Sequence, residues 1–161
     1  MSARWKPNVT VAAIIEREGR FMLVEEHTSE GLRLNNPAGH LDPGETPQEA
    51  CAREALEETA HAFRPLALVG VYLSRGPRAA TGEDITYLRF AFSGELGPLD
   101  AQRALDQGIV RTLWMTPDDV RASAPRHRSP LVLRCIEDYL AGRRFPLSLI
   151  HADPSLGTRA S

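Results

Sequence analysis

The chain has 161 residues, 42% hydrophobic and 25% charged, which suits one ordinary globular domain with a real core; a second domain is not expected. Its 19 Lys and Arg against 21 Asp and Glu leave a formal net charge of -2, which speaks against nucleic acid or a membrane surface as the main partner. Any preference for phosphate therefore has to be local.

Taken in chain order, the N-terminal MSARWKPNVT has no apolar h-region, and no run of about 18 apolar residues follows, so a soluble cytoplasmic protein is expected. Cys51 and Cys135 fall in helix-like segments without C-x-x-C or finger spacing; they are expected to be buried small hydrophobes in a reducing compartment. NVTVAAII, Asn8 to Ile15, is rich in β-branched residues, and after the polar turn EREGR comes FMLVEE. The two runs read as strands of one hairpin around Gly19. HTSEGLRLNNPAGHLDPGE, with three Gly and two Pro, reads as one long loop, of a kind usually functional inside a compact domain.

Thr46 offers an N-cap, Pro47 suits the first helical position, and Glu49 completes a T-x-x-E capping box. The helix is predicted to run to about Ala60, because HAFRP, closing on Pro65, breaks the pattern. Leu66 to Arg75 reads as a strand, and Ile85 to Leu96 as another, with Leu88, Phe90 and Phe92 on one face and Tyr87 and Arg89 on the other. GPRAATGED between them is a polar loop. IVRTLWM is a further strand, TPDDVRAS repeats the cap logic at Thr116 and Pro117, and a last helix is predicted from Ser129 and Pro130 to Gly142. The tail 151–161 is expected to be loose, leaving about 8–150 as the ordered core of one domain. Strands mixed with helices, without a regular β-α-β-α rhythm, point to an α/β fold with a mixed sheet flanked by helices.

The chemistry concentrates in REALEE. At about 100° per residue, Glu54, Glu57 and Glu58 share one arc of the helix, and like charges at that spacing each cost roughly 0.2–0.5 kcal/mol. Arg53, four residues from both Glu49 and Glu57, neutralises part of this, but one guanidinium cannot satisfy every carboxylate. Hard divalent cations such as Mg²⁺ or Mn²⁺ can, since they prefer carboxylate oxygens together with water and phosphate. A lone E-x-x-E-E is most often a solvated helix face. Two features weigh against that here: the glycine-bearing loop PAGHLDPGE just before the helix, and the spacing of the residues between them.

From Gly39 to His61 the chain reads GHLDPGETPQEACAREALEETAH, which resembles the Nudix box G-x5-E-x7-R-E-U-x-E-E-x-G-U, where U is a bulky aliphatic residue. Gly39, Glu45, Arg53, Glu54, Glu57 and Glu58 match. Ala55 and His61 depart at the aliphatic positions and Ala60 at the second glycine, which bears on how the helix ends; His61 is expected to be an ordinary helix-end residue. The resemblance implies an α/β/α sandwich with a mixed sheet and Mg²⁺- or Mn²⁺-dependent hydrolysis of a nucleoside diphosphate linked to a moiety X. It implies metal ligation by Glu54, Glu57 and Glu58 with the Gly39 carbonyl, and an orienting pair of Glu45 and Arg53. Either Glu57 or Glu58 would deprotonate water, and a further acid outside the box would be one of Glu83, Asp84, Glu95 and Asp106.

The segments NVTVAAII, FMLVEE, NNPAGHLDPGET, YLRFAF and RSPLVLRCIEDYLAGRRFPLSLI are similar to the bacterial NudJ-type phosphatases within that family. That similarity implies a nucleoside tri- and diphosphatase of relaxed specificity, with thiamine-pathway pyrophosphates among its candidate substrates. Arg89, with Tyr87 beside it, is the candidate contact to substrate phosphate or base, its competing reading being a surface arginine that covers the sheet. The cations of RHRSP are further phosphate candidates, whereas Arg143 and Arg144 suit a helix C-terminus. Trp114 is expected in the core. Two other readings compete: a Nudix hydrolase for another X, and a non-catalytic nucleotide-binding module, against which the intact carboxylate set stands. Monomer and homodimer are both left open.

Overall fold

The computed structural model describes residues 3–78 and 80–157. The chain opens with β1 (Asn8–Ile14), whose residues Val11 to Ile14 are buried on both faces, as a strand in the middle of a sheet must be. Next come β2 (Glu16–Arg17) and β3 (Arg20–Thr28). Glu18 and Gly19, both at positive φ (52° and 76°), make the two-residue turn of a tight hairpin. That hairpin joins β2 to β3, pairing Glu16 with Phe21, and β1 and β3 belong to different sheets. The expected β1–β3 hairpin is thus corrected: the turn is where it was read, but β1 leaves for another sheet, where both of its apolar faces are covered.

The long loop is corrected too. His27 and Thr28 finish β3, Gly31–Asn35 form β4, and Ala38–His40 form β5. β4 returns along β3 through a turn closed by the Thr28 hydroxyl, which donates to the Gly31 carbonyl (2.7 Å). The density of Gly and Pro hid the alternation of Leu32, Arg33 and Leu34.

Helix α1 (Pro47–Thr59) begins under the Thr46 cap, with the Glu49 N–H donating to the Thr46 hydroxyl (3.1 Å). The return bond of a capping box is absent: the Glu49 carboxylate accepts from the Thr46 hydroxyl instead (3.1 Å). The full reciprocal box forms at α2 (Pro117–Ala122), between Thr116 and Asp119. β6 (His61–Pro77) starts immediately after α1, so Pro65 does not break the chain there. It sits in an edge strand, with register shifts on both sides of it, where a missing N–H is tolerated. β7 (Asp84–Leu99), β8 (Ile109–Met115) and α3 (Leu131–Leu140) complete the main elements. Of the tail expected to be loose, Pro154–Gly157 form a short 3-10 turn, and residues 158–161 lie outside the described residues.

One sheet runs β5-β1-β7-β6 and is mixed, β1 and β7 being parallel and the other pairs antiparallel. The other is antiparallel, with β3 between β8 on one edge and β2 and β4 on the other. Helix α1 covers one face of the mixed sheet, where Ala50, Cys51 and Ala55 pack with Val11, Ala13 and Phe92. Helix α3 covers the opposite face, where Val132, Cys135 and Ile136 join Ala12, Val69 and Ala91, together with Phe21 and Leu23 from the second sheet. This is an α/β/α arrangement, and both cysteines are buried in it. No helix among the described residues is long and apolar enough to cross a membrane.

Candidate active site

Arg53 is the hub of the loop-helix motif. Its Nε and Nη2 donate to the two oxygens of Glu45 (3.1 and 2.7 Å), a two-pronged grip that suits a planar guanidinium. Nη2 also donates to the His40 carbonyl (2.8 Å), and Nη1 to Glu54 Oε1 (2.8 Å) and Glu57 Oε2 (3.2 Å). The Glu45 carboxylate accepts in addition from the Asp42 N–H (2.7 Å). One side chain therefore ties β5, the loop before the helix, and the helix face together. The hydrogen bond from Arg53 holds the Glu45 carboxyl below its ordinary range, and Glu45 in turn holds Arg53 more firmly charged.

Glu54, Glu57 and Asp106 each offer an oxygen within 4.8 Å of the others. Asp106 is delivered by the segment after β7, which is laced to the end of α1: Asp100 N–H donates to the Ala60 carbonyl (2.8 Å) and Asp106 N–H to the Glu57 carbonyl (2.9 Å). The other three acids considered outside the box lie elsewhere. Asp84 pairs with Arg75 and Glu95 with Arg64 on exposed strand surface, and Glu83 is exposed in the β6–β7 turn. Burial pushes the Glu54 carboxyl up, helped by Glu57 and Asp106 and opposed by Arg53.

Glu58 stands deeper and outside that trio. Its Oε1 accepts from the Ala38 N–H (2.8 Å), and burial, reinforced by Glu26, Glu54 and Asp106, pushes its carboxyl up to about 8. Gly39 lies against the Glu54 carboxylate, so closely that a Cβ there would overlap it. Three crowded carboxylates, of which Glu54 and Glu57 share the Arg53 guanidinium and Glu54 packs on a backbone position that tolerates no side chain, fit a hard divalent cation by charge and by donor type.

Ala38 and Gly39 also line a cleft of about 670 Å³. In the mixed sheet His40, Thr10 and Arg89 stand in one cross-strand row, and all three face this cleft, as does Tyr87 one pleat along. Arg89 is not a surface arginine: it is only 6% exposed, and its Nη1 and Nη2 donate to Asn36 Oδ1 (3.0 Å) and Asn35 Oδ1 (3.2 Å). Four arginines, Arg33, Arg78, Arg89 and Arg128, line the cleft against two glutamates, Glu26 and Glu30. A chain of net charge -2 thus carries a basic hollow beside an acidic helix.

The remaining candidates are structural. His61 Nδ1 is 3.0 Å from the Gly97 carbonyl, Arg144 stacks on the Tyr139 ring and donates to the Tyr139 carbonyl, and Trp114 packs at the edge of the core under Arg17. Sequence reasoning missed Arg33, Arg78, Asn35 and Asn36. The only available signal was the polar NN step before PAG, which reads equally well as a turn.

An α/β/α fold with an acidic helix face beside a basic cleft is what the Nudix resemblance implies, and the family comparison agrees. Residues 5–135 match the NUDIX domain, and the chain belongs to that family. Among its curated relatives, Phosphatase NudJ of Escherichia coli strain K12 is 36% identical over 146 residues, spanning 91% of this chain and 92% of that protein. The Phosphatase NudJ of Shigella flexneri matches to the same extent. A solved NUDIX hydrolase from Nitrosomonas europaea is 50% identical, superposes with a TM-score of 0.84, and aligns over 92% of this chain and 98% of its own. The MutT NUDIX hydrolase of Burkholderia pseudomallei, 20% identical with a TM-score of 0.68 over 83% of this chain and 98% of its own, shares the fold. The chain is therefore a Nudix hydrolase by family. Nudix hydrolases generally use divalent metal ions and act on small nucleotide substrates.

Proposed function

We propose that this chain is a single cytoplasmic hydrolase domain that cleaves phosphoanhydride bonds in nucleoside tri- and diphosphates with Mg²⁺ or Mn²⁺, thiamine-pathway pyrophosphates being further candidate substrates. The observation that carries the reading is the continuity of the Glu54–Glu57–Asp106 cluster with the arginine-lined cleft, through Gly39. The names of the phosphatase relatives support it.

A bound divalent cation supplies neutralisation of phosphate charge and a lowered pKa for coordinated water. Glu54, Glu57 and Asp106 would hold it, with Glu58 and the Gly39 carbonyl as further candidate donors. Glu57 or Glu58 takes the proton as the water oxygen bonds to phosphorus and the anhydride oxygen departs with the leaving phosphate. Glu45 and Arg53 act by holding the loop against the helix. Arg89 and Tyr87 face the substrate, the cation toward phosphate and the ring toward the base.

Incubating the protein with Mg²⁺ and a panel of tri-, di- and monophosphates, thiamine-pathway pyrophosphates, nucleotide sugars and dinucleotide polyphosphates tests this. Orthophosphate and pyrophosphate are to be measured separately. Turnover of tri- and diphosphates with release of orthophosphate is expected. Turnover confined to nucleotide sugars or dinucleotides would replace the proposed substrate class.

A further inference from the structure

Arg89 is a buried cation without a buried counter-ion. Glu25 is matched by Arg111 and Arg126, Glu26 by Arg128, and Asp138 by Arg134. Its Nη atoms donate to the neutral amide oxygens of Asn35 and Asn36, the neutral Cys135 thiol is a further hydrogen-bond neighbour, and among the described residues no carboxylate forms an ion pair with Arg89. Burying a charge is expensive unless it is matched, so a fold that keeps one open to a cleft leaves room for an anion.

A second guanidinium is tied to the first. Arg128 is fixed by its backbone, its N–H donating to the Leu34 carbonyl (2.8 Å), one residue before Asn35. Its Nη1 donates to Glu26 Oε1 (2.8 Å), and the Asn35 amide reaches the same oxygen by a long contact of 3.5 Å. One carboxylate and one amide thus bridge two guanidiniums that both line the cleft, and the group keeps one unit of surplus positive charge. Arg126, two residues away and equally exposed, turns to Glu25 and does not line the cleft.

We propose that Arg89 and Arg128 form a braced two-guanidinium clamp for the end of a polyphosphate chain, with Asn35, Asn36 and Glu26 as positioning residues. The proposal rests on the phosphoanhydride reading of the site and deepens it. His40, beside the carboxylate edge, and Arg89 are separated by Thr10 in register, two strand spacings or about 10 Å. A single phosphate cannot occupy both places, and a chain of phosphates can. The clamp therefore favours polyphosphorylated substrates over monophosphates.

The test uses Asn36→Asp, which puts a carboxylate on Arg89 with almost no change of shape, and Arg128→Ala, with Arg126→Ala as control. Binding of inorganic tripolyphosphate is measured by calorimetry in EDTA, and kcat and KM are measured for a nucleoside triphosphate with Mg²⁺. Asn36→Asp and Arg128→Ala are each expected to weaken tripolyphosphate about tenfold or more and to raise KM similarly, with a smaller effect on kcat. Arg128→Lys should recover part of the loss, keeping the charge without the fork. Arg126→Ala should bind as wild type does.

Wild-type affinity and KM in both variants, or no tripolyphosphate binding by the wild type, overturns the clamp. Should Asn36→Asp fail to fold, Arg128→Ala decides alone, its side chain being half exposed. If the wild type hydrolyses nothing in the panel but both variants lose tripolyphosphate, the clamp stands and the hydrolytic reading falls. If hydrolysis proceeds and neither variant changes it, the reverse holds.

Discussion

Gly39 lies directly against the carboxylate of Glu54: a methyl group on its Cα would overlap Cδ and both oxygens. The restriction is one of space, because Gly39 is not among the glycines at positive φ. Gly39→Ala is therefore expected to displace Glu54 and to lower kcat/KM by roughly a hundredfold, the scale of a misplacement of about 1 Å. Steady-state kinetics alongside a thermal melt checks this; wild-type kinetics in a folded variant would remove the close packing from the account of the site.

Arg53 meets Glu45 through two nitrogens while still reaching Glu54 and Glu57. A lysine keeps the charge and loses the fork, so Arg53→Lys should lose activity by about a hundredfold. It should also melt lower in EDTA, where the carboxylates depend on that cation. A lysine variant with full activity would show that charge alone suffices.

Asp106 is the acid outside the box that the structure brings to Glu54 and Glu57. Asp106→Asn should weaken Mn²⁺ binding by about tenfold or more in calorimetry. Asp84→Asn and Glu95→Gln, whose carboxylates sit on exposed arginines, should leave it unchanged. An effect of Asp84 or Glu95 without one of Asp106 would point to a different set of ligands.

The pH dependence of the metal-free protein turns on Glu58. Burial holds its folded pKa at about 8, above the ordinary value of 4.5. The folded state thus binds the proton more tightly than the unfolded chain does. The stability this contributes is fully present below about 4.5 and is lost as pH rises through about 8. Burial lowers the pKa of His40 and His127, which gives the opposite trend toward acid, so the clean measurement is a difference. In EDTA, wild type minus Glu58→Gln should fall steadily across that window in urea unfolding, and parallel curves would contradict the burial argument.

Helix α1 ends on Ala60 in the left-handed region, φ 59°, where its N–H donates to the Leu56 carbonyl. A Cβ there costs roughly 1–2 kcal/mol, and the burial of the Ala60 methyl offsets about 0.8 kcal/mol of that. Ala60→Gly should then gain somewhat under about 1 kcal/mol, a rise in Tm of about 2 °C, without altering activity. A lower Tm would mean that the methyl contributes more than the strain.

The helix that carries Glu54, Glu57 and Glu58 was legible because everything that defines it lies within a turn or two: the Thr46 cap, the Pro47 start, and the spacing of Arg53 to Glu58. The hairpin assigned to β1 and β3 was not. Its turn at Glu18 and Gly19 is local, but the choice of β2 over β1 as partner depends on β5 and β7, which pair with β1 from about 28 and 79 residues away. β4 and β5 were lost for a related reason, since Gly and Pro signal turns whether the residues between them pair or not. Pro65 misled in the same way, because only the sheet order shows that it lies on an edge.

The sequence by itself determined the motif, its helix and the family, because helical geometry converts a spacing of three or four residues directly into a shared face. Only the tertiary structure decided which distant acid meets those glutamates, that Arg89 is buried beside Asn35 and Asn36, and that Arg128 comes within reach of Glu26. Those contacts join residues 49 to 102 positions apart. Such approaches are set by which sheet each strand enters and by how the core between the sheets packs, and no local pattern encodes them.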